Sequence, residues 1–168
     1  AFAHVSESTS CDALDGCYYD LRNQWTPVQE EGSELPFLMG SYAESLVRSH
    51  VAEGTTDPFF LYFALPTVHA PVYAPPKYLE SSGEVVPSEY MGHLHQVTNI
   101  ERRKLAAMTL VGDEIVANVT ELMKEVGMAD NCVTIISSDN GSPRSNGGTN
   151  FPLRGMKGFY FEGGLKVK

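Results

Sequence analysis

Apolar residues are scattered among Gly, Ser and Glu from residue 1 to about 40, and their spacing there has little period. Ser41 to Ala52 carries the spacing of a short helix and is followed by the polar loop Glu53-Gly54-Thr55-Thr56. Residues 1–56 are therefore expected to be a connector with a short helix. Asp57-Pro58 then opens the unbroken run Phe59-Phe60-Leu61-Tyr62-Phe63-Ala64-Leu65, which Pro66 ends. A continuous apolar and aromatic run of this kind predicts a strand covered on both faces, as in a parallel sheet.

After a long Pro-rich stretch, apolar residues recur at Met108, Val111, Ile115, Val119, Leu122 and Val126, three or four apart, which predicts one long amphipathic helix. Gly127 is placed as its stop, and Asn131 leads into Cys132-Val133-Thr134-Ile135-Ile136, a second buried strand by the same criteria. Strand, helix and strand form a βαβ unit, whose right-handed crossover makes the strands parallel. His69 and Asp139-Asn140, which follow the two strand ends, then emerge at one edge of the sheet, where open α/β sheets place ligands. The connection from Pro66 to about Thr98 is long for a compact domain and is expected to be a pocket wall or lid.

Composition narrows the partners. The net charge of -9, with 21 acidic and 12 basic residues and no basic cluster, argues against nucleic acid or an anionic membrane surface. No apolar run reaches the length of a membrane span. Ala1 opens neither a start methionine nor a signal-peptide pattern, and the extended alternation at Gly163–Lys168 stops without a closing element, so the chain reads as a fragment. Cys11 and Cys17 flank a turn-like stretch and suit either a small disulfide loop or two unpaired thiols. Cys132, inside an apolar strand, is expected as a buried, inert thiol.

Chemistry concentrates in a few motifs. Ser137-Ser138-Asp139-Asn140-Gly141 sets a carboxylate beside a carboxamide oxygen where a strand reaches the surface. Oxygen-only ligation favours Ca²⁺ or Mg²⁺ over zinc; read alone, Asp-Asn-Gly is also a good turn. The block from Asn150 to Gly164 gathers glycines around Arg154 and Lys157. Lys157 suits an anionic ester as a compact point charge, and Arg154 suits a bidentate carboxylate contact or the ligand; otherwise both are solvated surface cations. His69 can donate to an ester oxygen or protonate a leaving group, or else serve as a capping or structural histidine. His93 and His95, in the expected lid, have no matching partners and read as surface residues.

The stretch from Asp57 to Lys168 resembles the sulfatase family, most of all its arylsulfatase B type branch. The match rests on the Phe59–Leu65 strand ending in Val68-His69-Ala70-Pro71, on the Ser138-Asp139-Asn140-Gly141 turn, and on Pro152-Leu153-Arg154-Gly155-Met156-Lys157-Gly158 followed by Glu162-Gly163-Gly164. The fold this resemblance implies is α/β, part of an alkaline-phosphatase-like sheet, mostly parallel and sandwiched by helices. Residues 57–168 would be the central part of the catalytic domain, truncated at both ends, and 1–56 a peripheral part. Sulfatases attack sulfur with a hydrated formylglycine derived from cysteine, and a bound Ca²⁺ holds that nucleophile and the sulfate. The resemblance implies that Asp139 and Asn140 are the second pair of calcium ligands, that Lys157 contacts the sulfate, and that His69 lies beside the sulfate and the leaving oxygen. Arg154 matches in sequence without an assigned role.

The departures from the family pattern also carry expectations. The nucleophile motif Cys-x-Pro-x-Arg is absent after Cys11, Cys17 and Cys132, and the upstream aspartate pair has no counterpart. Calcium takes about six to eight oxygens, so the isolated chain is expected neither to hydrolyse sulfate esters nor to hold calcium tightly. Of two sequons, Asn118-Val119-Thr120 is the glycosylation candidate, since a metal-binding Asn140 excludes a glycan at Asn140-Gly141-Ser142. The resemblance further implies a lysosomal or extracellular protein and a sulfate-ester substrate such as a sulfated glycosaminoglycan. Two rival readings remain: a phosphoester or phosphonate hydrolase of the same superfamily, and a non-catalytic homologue that binds sulfated glycans. Asparagine at 140, where many phosphoesterases carry histidine, favours calcium and sulfate.

Overall fold

The computed structural model describes residues 21–28, 34–70, 72, 74–79 and 98–167. Cys11, Cys17, His93, His95 and most of the expected lid lie outside the described residues. Two compact units divide the chain, residues 1–34 and residues 35–168. In the first, β1 (Arg22–Asn23) pairs antiparallel with β2 (Thr26–Pro27) around a tight turn at Gln24-Trp25. The Val28 N–H extends the pairing by donating to the Leu21 carbonyl at 2.8 Å.

The second unit is helical, with α1 (Leu35–Ala52), α2 (Pro76–Leu79), α3 (Ile100–Glu125) and the single turn α4 (Glu162–Leu165). The start of α3 is set by Asn99, which is extended and accepts from the Arg102 N–H at 3.0 Å, satisfying one of the unpaired donors of the first turn. Its end is a Schellman motif: Gly127, with φ 75°, donates to Lys124 at 3.1 Å, and Met128 donates to Met123 at 2.9 Å. Between these caps Met108, Val111, Ile115, Val119 and Leu122 are all buried, as their spacing predicts.

Two apolar clusters run along α3. One joins Met108, Val111 and Ile115 to Tyr78 of α2, and the other joins Val119, Leu122 and Met123 to Ala43 and Val47 of α1. α1 begins six residues before the expected Ser41, with Pro36 in its first turn, where a missing N–H has no helical partner to lose. It belongs to the same compact unit as α3.

The strand expectations need correction. Phe59, Leu61 and Phe63 pack on the α1–α3 cluster and Leu65 on the α2–α3 cluster, but Phe60 is 88% exposed and Tyr62 points outward with it. The burial of the run alternates with period two, so it is covered on one face rather than both, the helices supplying one layer only. Residues 132–136 form no regular element and are exposed throughout, with Ile135 at 84%, and Cys132 is exposed rather than buried. Neither run carries a ladder; among the described residues the sole sheet is β1–β2, so the expected mostly parallel sheet is not formed there. A parallel strand needs a neighbouring strand to pair with and cover on both faces, and the described helices cover one face of Phe59–Leu65 only. No helix among the described residues is long and apolar enough to cross a membrane.

Candidate active site

The Phe59–Leu65 run delivers the chain from the helical core to Thr67-Val68, where Val68 adopts φ 64°. A left-handed conformation is costly for a β-branched side chain, and it falls directly before His69. Among the described residues the His69 ring makes two polar contacts. Its Nδ1 lies 2.7 Å from the Ala70 carbonyl, and its Nε2 lies 2.9 Å from Lys157 Nζ, 88 residues away in sequence. A carbonyl can only accept and an ammonium can only donate, so the proton is on Nδ1, and the lone pair of a neutral imidazole faces Lys157 from Nε2.

Lys157 sits on a tight turn closed by the Phe159 N–H, which donates to the Met156 carbonyl at 3.0 Å, with Gly158 at φ 87° in the third position. That position of a type II turn requires positive φ, which accounts for glycine there. The Arg154 guanidinium stacks over the Phe161 ring at 3.9 Å, while the Arg154 carbonyl accepts from the Gly163 N–H at 2.7 Å. Arg154 thus braces the loop that presents Lys157.

The Asp139-Asn140 turn is closed by the Ser138 hydroxyl, which donates to the Asn140 carbonyl at 2.8 Å. The next residue docks on the glycine pair: the Gly141 N–H donates to the Gly164 carbonyl at 3.0 Å. The approach is so close that a Cβ on Gly141 would lie 1.7 Å from the Gly163 carbonyl oxygen, and one on Gly164 would lie 2.6 Å from that of Met156. The carboxylate–carboxamide turn and the lysine turn therefore rest on the same Gly163-Gly164 segment.

Asp139 is exposed and Asn140 half-buried. Both side chains offer hard oxygen donors, which fit a Ca²⁺ ion in kind. Among the described residues, no three His, Cys, Asp or Glu side chains gather as a metal-binding group, and no hydrogen bond or ion pair joins Asp139 to His69 or Lys157. Asn118 lies exposed on α3 and takes no part in this cluster; Thr120 of its sequon donates to the Val116 and Ala117 carbonyls, at 2.9 Å each.

Sequence reasoning assigns Asn150 no role, yet its carboxamide binds three main-chain groups. Oδ1 accepts from the Ser142 N–H at 2.9 Å, and Nδ2 donates to the carbonyls of Ser142 at 2.8 Å and Gly155 at 3.2 Å. No periodicity signals such a residue, because its partners are backbone atoms of loops.

A family model described as Sulfatase matches residues 16–167. The chain is 35% identical over 162 residues to arylsulfatase J of Mus musculus, covering 94% of this chain and 24% of that protein. It is 31% identical over 154 residues to N-acetylgalactosamine-6-sulfatase of Homo sapiens, covering 84% of this chain and 26% of that protein. The chain thus spans about a quarter of the length of these relatives. Among solved structures it is similar to Ps i-CgsB in complex with k-i-k-neocarrahexaose, with a TM-score of 0.68 and 28% identity over 84% of this chain and 30% of that one.

Proposed function

Because the chain belongs to the sulfatase family, we propose that it is part of a sulfate-ester hydrolase, of arylsulfatase type, in which His69 and Lys157 bind the ester and Asp139 and Asn140 contribute to a calcium site. The observation that carries this reading is the 2.9 Å contact between His69 Nε2 and Lys157 Nζ. It sets a fixed positive charge beside a neutral imidazole nitrogen, on a loop that shares the Gly163-Gly164 segment with the backbone following the Asp139-Asn140 turn.

In this reading Lys157 donates to a sulfate oxygen and offsets the charge of the ester. Nε2 of His69, released from the ammonium as Lys157 turns to the anion, is a base that can take up the proton lost by the attacking hydroxyl and hand it to the leaving oxygen. The Ala70 carbonyl keeps the ring in the tautomer that leaves Nε2 free to do so. A bound Ca²⁺ would supply further charge neutralisation at the sulfate. Two side chains against the roughly six to eight oxygens that calcium takes mean that other ligands complete its shell. The nucleophile, a formylglycine in this reading, comes from outside this chain, which has no Cys-x-Pro-x-Arg motif.

A sulfated glycan is the proposed substrate class, supported by a relative named N-acetylgalactosamine-6-sulfatase and by a similar structure solved with a neocarrahexaose. The test is turnover of a chromogenic aryl sulfate and the matching phosphate ester, by the 168-residue chain alone and by a protein of its relatives' length that carries it. The chain alone should be silent and the longer protein should hydrolyse the sulfate. Preference for the phosphate ester would assign it to the phosphoester hydrolases instead, and loss of both activities would favour a glycan-binding role.

A lysosomal or extracellular location belongs to the same proposal, supported by the exposed sequon at Asn118. Expression through a secretory pathway should give a species whose mobility rises on treatment with an N-glycosidase and which Asn118→Gln reproduces without treatment. Identical mobility of parent and variant would remove Asn118 from the proposal.

A further inference from the structure

The three hydrogen bonds of Asn150 join two loops that the proposed activity needs in fixed register. Ser142 lies two residues beyond Asn140, and Gly155 lies two before Lys157. We infer that Asn150 is a positioning residue, whose carboxamide sets the Asp139-Asn140 turn at its working distance from Lys157. The inference rests on the proposed roles of those residues.

The chemistry of the link is specific to asparagine. Toward Ser142 the carboxamide behaves as the peptide group of a neighbouring strand, accepting from its N–H and donating to its carbonyl, and the second Nδ2 proton is left for Gly155. A flipped amide would set its NH₂ against an N–H and its oxygen against two carbonyls, so the network fixes the orientation. Aspartate has the same shape but would turn an oxygen toward both carbonyls. Glutamine adds a methylene that the 2.8 and 2.9 Å contacts leave no length for. Asn150 is half-buried, so the lost hydrogen bonds would not all be replaced by solvent. The backbone contacts at Gly141–Gly164 and Arg154–Gly163 keep the loops together without it. The carboxamide therefore sets their register rather than their existence.

The test uses a protein of the relatives' length that carries this chain, with Asn150→Ala and Asn150→Asp compared against Val47→Ala, a buried position in α1. Three quantities are read: melting temperature, kcat/KM for an aryl sulfate, and the inhibition constant of inorganic sulfate. Misplacing a binding group by about an ångström costs up to ~100-fold, so both Asn150 variants should lose roughly 10- to 100-fold in kcat/KM and bind inorganic sulfate correspondingly more weakly. Val47→Ala should lower the melting temperature and leave the other two readouts unchanged. The inference is overturned if Asn150→Ala keeps parental kcat/KM and sulfate inhibition, or if Val47→Ala reproduces its losses at an equal fall in melting temperature. Should Asn150→Ala fail to accumulate, Asn150→Asp carries the same comparison. Lys157→Ala in parallel separates the two levels: activity lost there but kept at Asn150 removes the positioning role alone, and activity kept in both removes the site reading and this inference with it.

Discussion

Substituting alanine for Gly141 is expected to force the Asp139-Asn140 turn off the loop that presents Lys157. The added Cβ would lie 1.7 Å from the Gly163 carbonyl oxygen and 2.8 Å from its carbon. Those are backbone atoms, pinned in turn by the Gly163 N–H donating to Arg154 and by the Gly164 carbonyl accepting from Gly141. A flexible side chain would swing aside at little cost, but here the two segments must part. Overpacking costs about 1–3 kcal/mol and a lost hydrogen bond about 0.5–1.5 kcal/mol, so a local destabilisation of roughly 2–4 kcal/mol is expected. Amide hydrogen exchange reads it directly: the Gly141 and Gly163 N–H groups should exchange faster by that free energy, while the N–H groups of α3 near Ile115 should keep their protection. Gly54→Ala serves as the contrast, since nothing lies within 4 Å of the added Cβ there and its φ of +60° leaves only backbone strain. Unchanged exchange at Gly141 in the alanine variant would show that the glycine contact does not hold the two loops together.

Such a contact is invisible in sequence, and the reason separates what was legible from what was not. The apolar stripe of α3 could be read because one helix face packs on α1 and α2, and a face imposes a period on the residues that form it. Gly127 could be read as its stop because the left-handed turn after a helix favours glycine at that place. The run Phe59–Leu65 failed differently: every position is apolar, so the pattern carries no information on which face is covered, and the exposure of Phe60 appears only once the helices are seen on the other side. Residues 132–136 invite the same overreading, since apolar content signals a need for cover and not its presence. α1 starts six residues before the expected Ser41, with Pro36 in its first turn, where a missing N–H costs no helical bond, and Gly40 buried within the helix. For the candidate site, strand-end reasoning set His69 and Asp139-Asn140 at one edge, whereas the contact found for His69 is with Lys157. Asn150 stayed unread because its partners are peptide groups, which are the same at every position of a sequence.

Replacing Lys157 by alanine is the substitution with the largest expected effect on activity. Its ammonium is held 2.9 Å from an imidazole nitrogen that can only accept, so it gains no charge compensation from His69, and no carboxylate pairs with it among the described residues. A cation kept in that state contributes little to folding: exposed contacts are worth about 0–1 kcal/mol, so the melting temperature should barely move. Its charge becomes valuable only when an anion arrives, and most valuable as negative charge builds on the oxygens of the ester in the transition state. Removal of a single preorganised donor to such charge typically costs about 10²–10³ in kcat, which is the fall expected for hydrolysis of an aryl sulfate by a protein of the relatives' length carrying Lys157→Ala. Lys157→Arg should recover only part of it, because a planar guanidinium cannot occupy the point position of an ammonium against Nε2. His69→Ala should also lower the rate, and the double variant should lose less than the product of the single losses, since the proposed function has the two groups act on one ester. A contact that is only a surface pairing predicts the reverse, a small change in stability and none in rate. If kcat/KM in Lys157→Ala stays within about threefold of the parent, less than ~1 kcal/mol of transition-state stabilisation resides in the ammonium, and the assignment of sulfate binding to this pair fails.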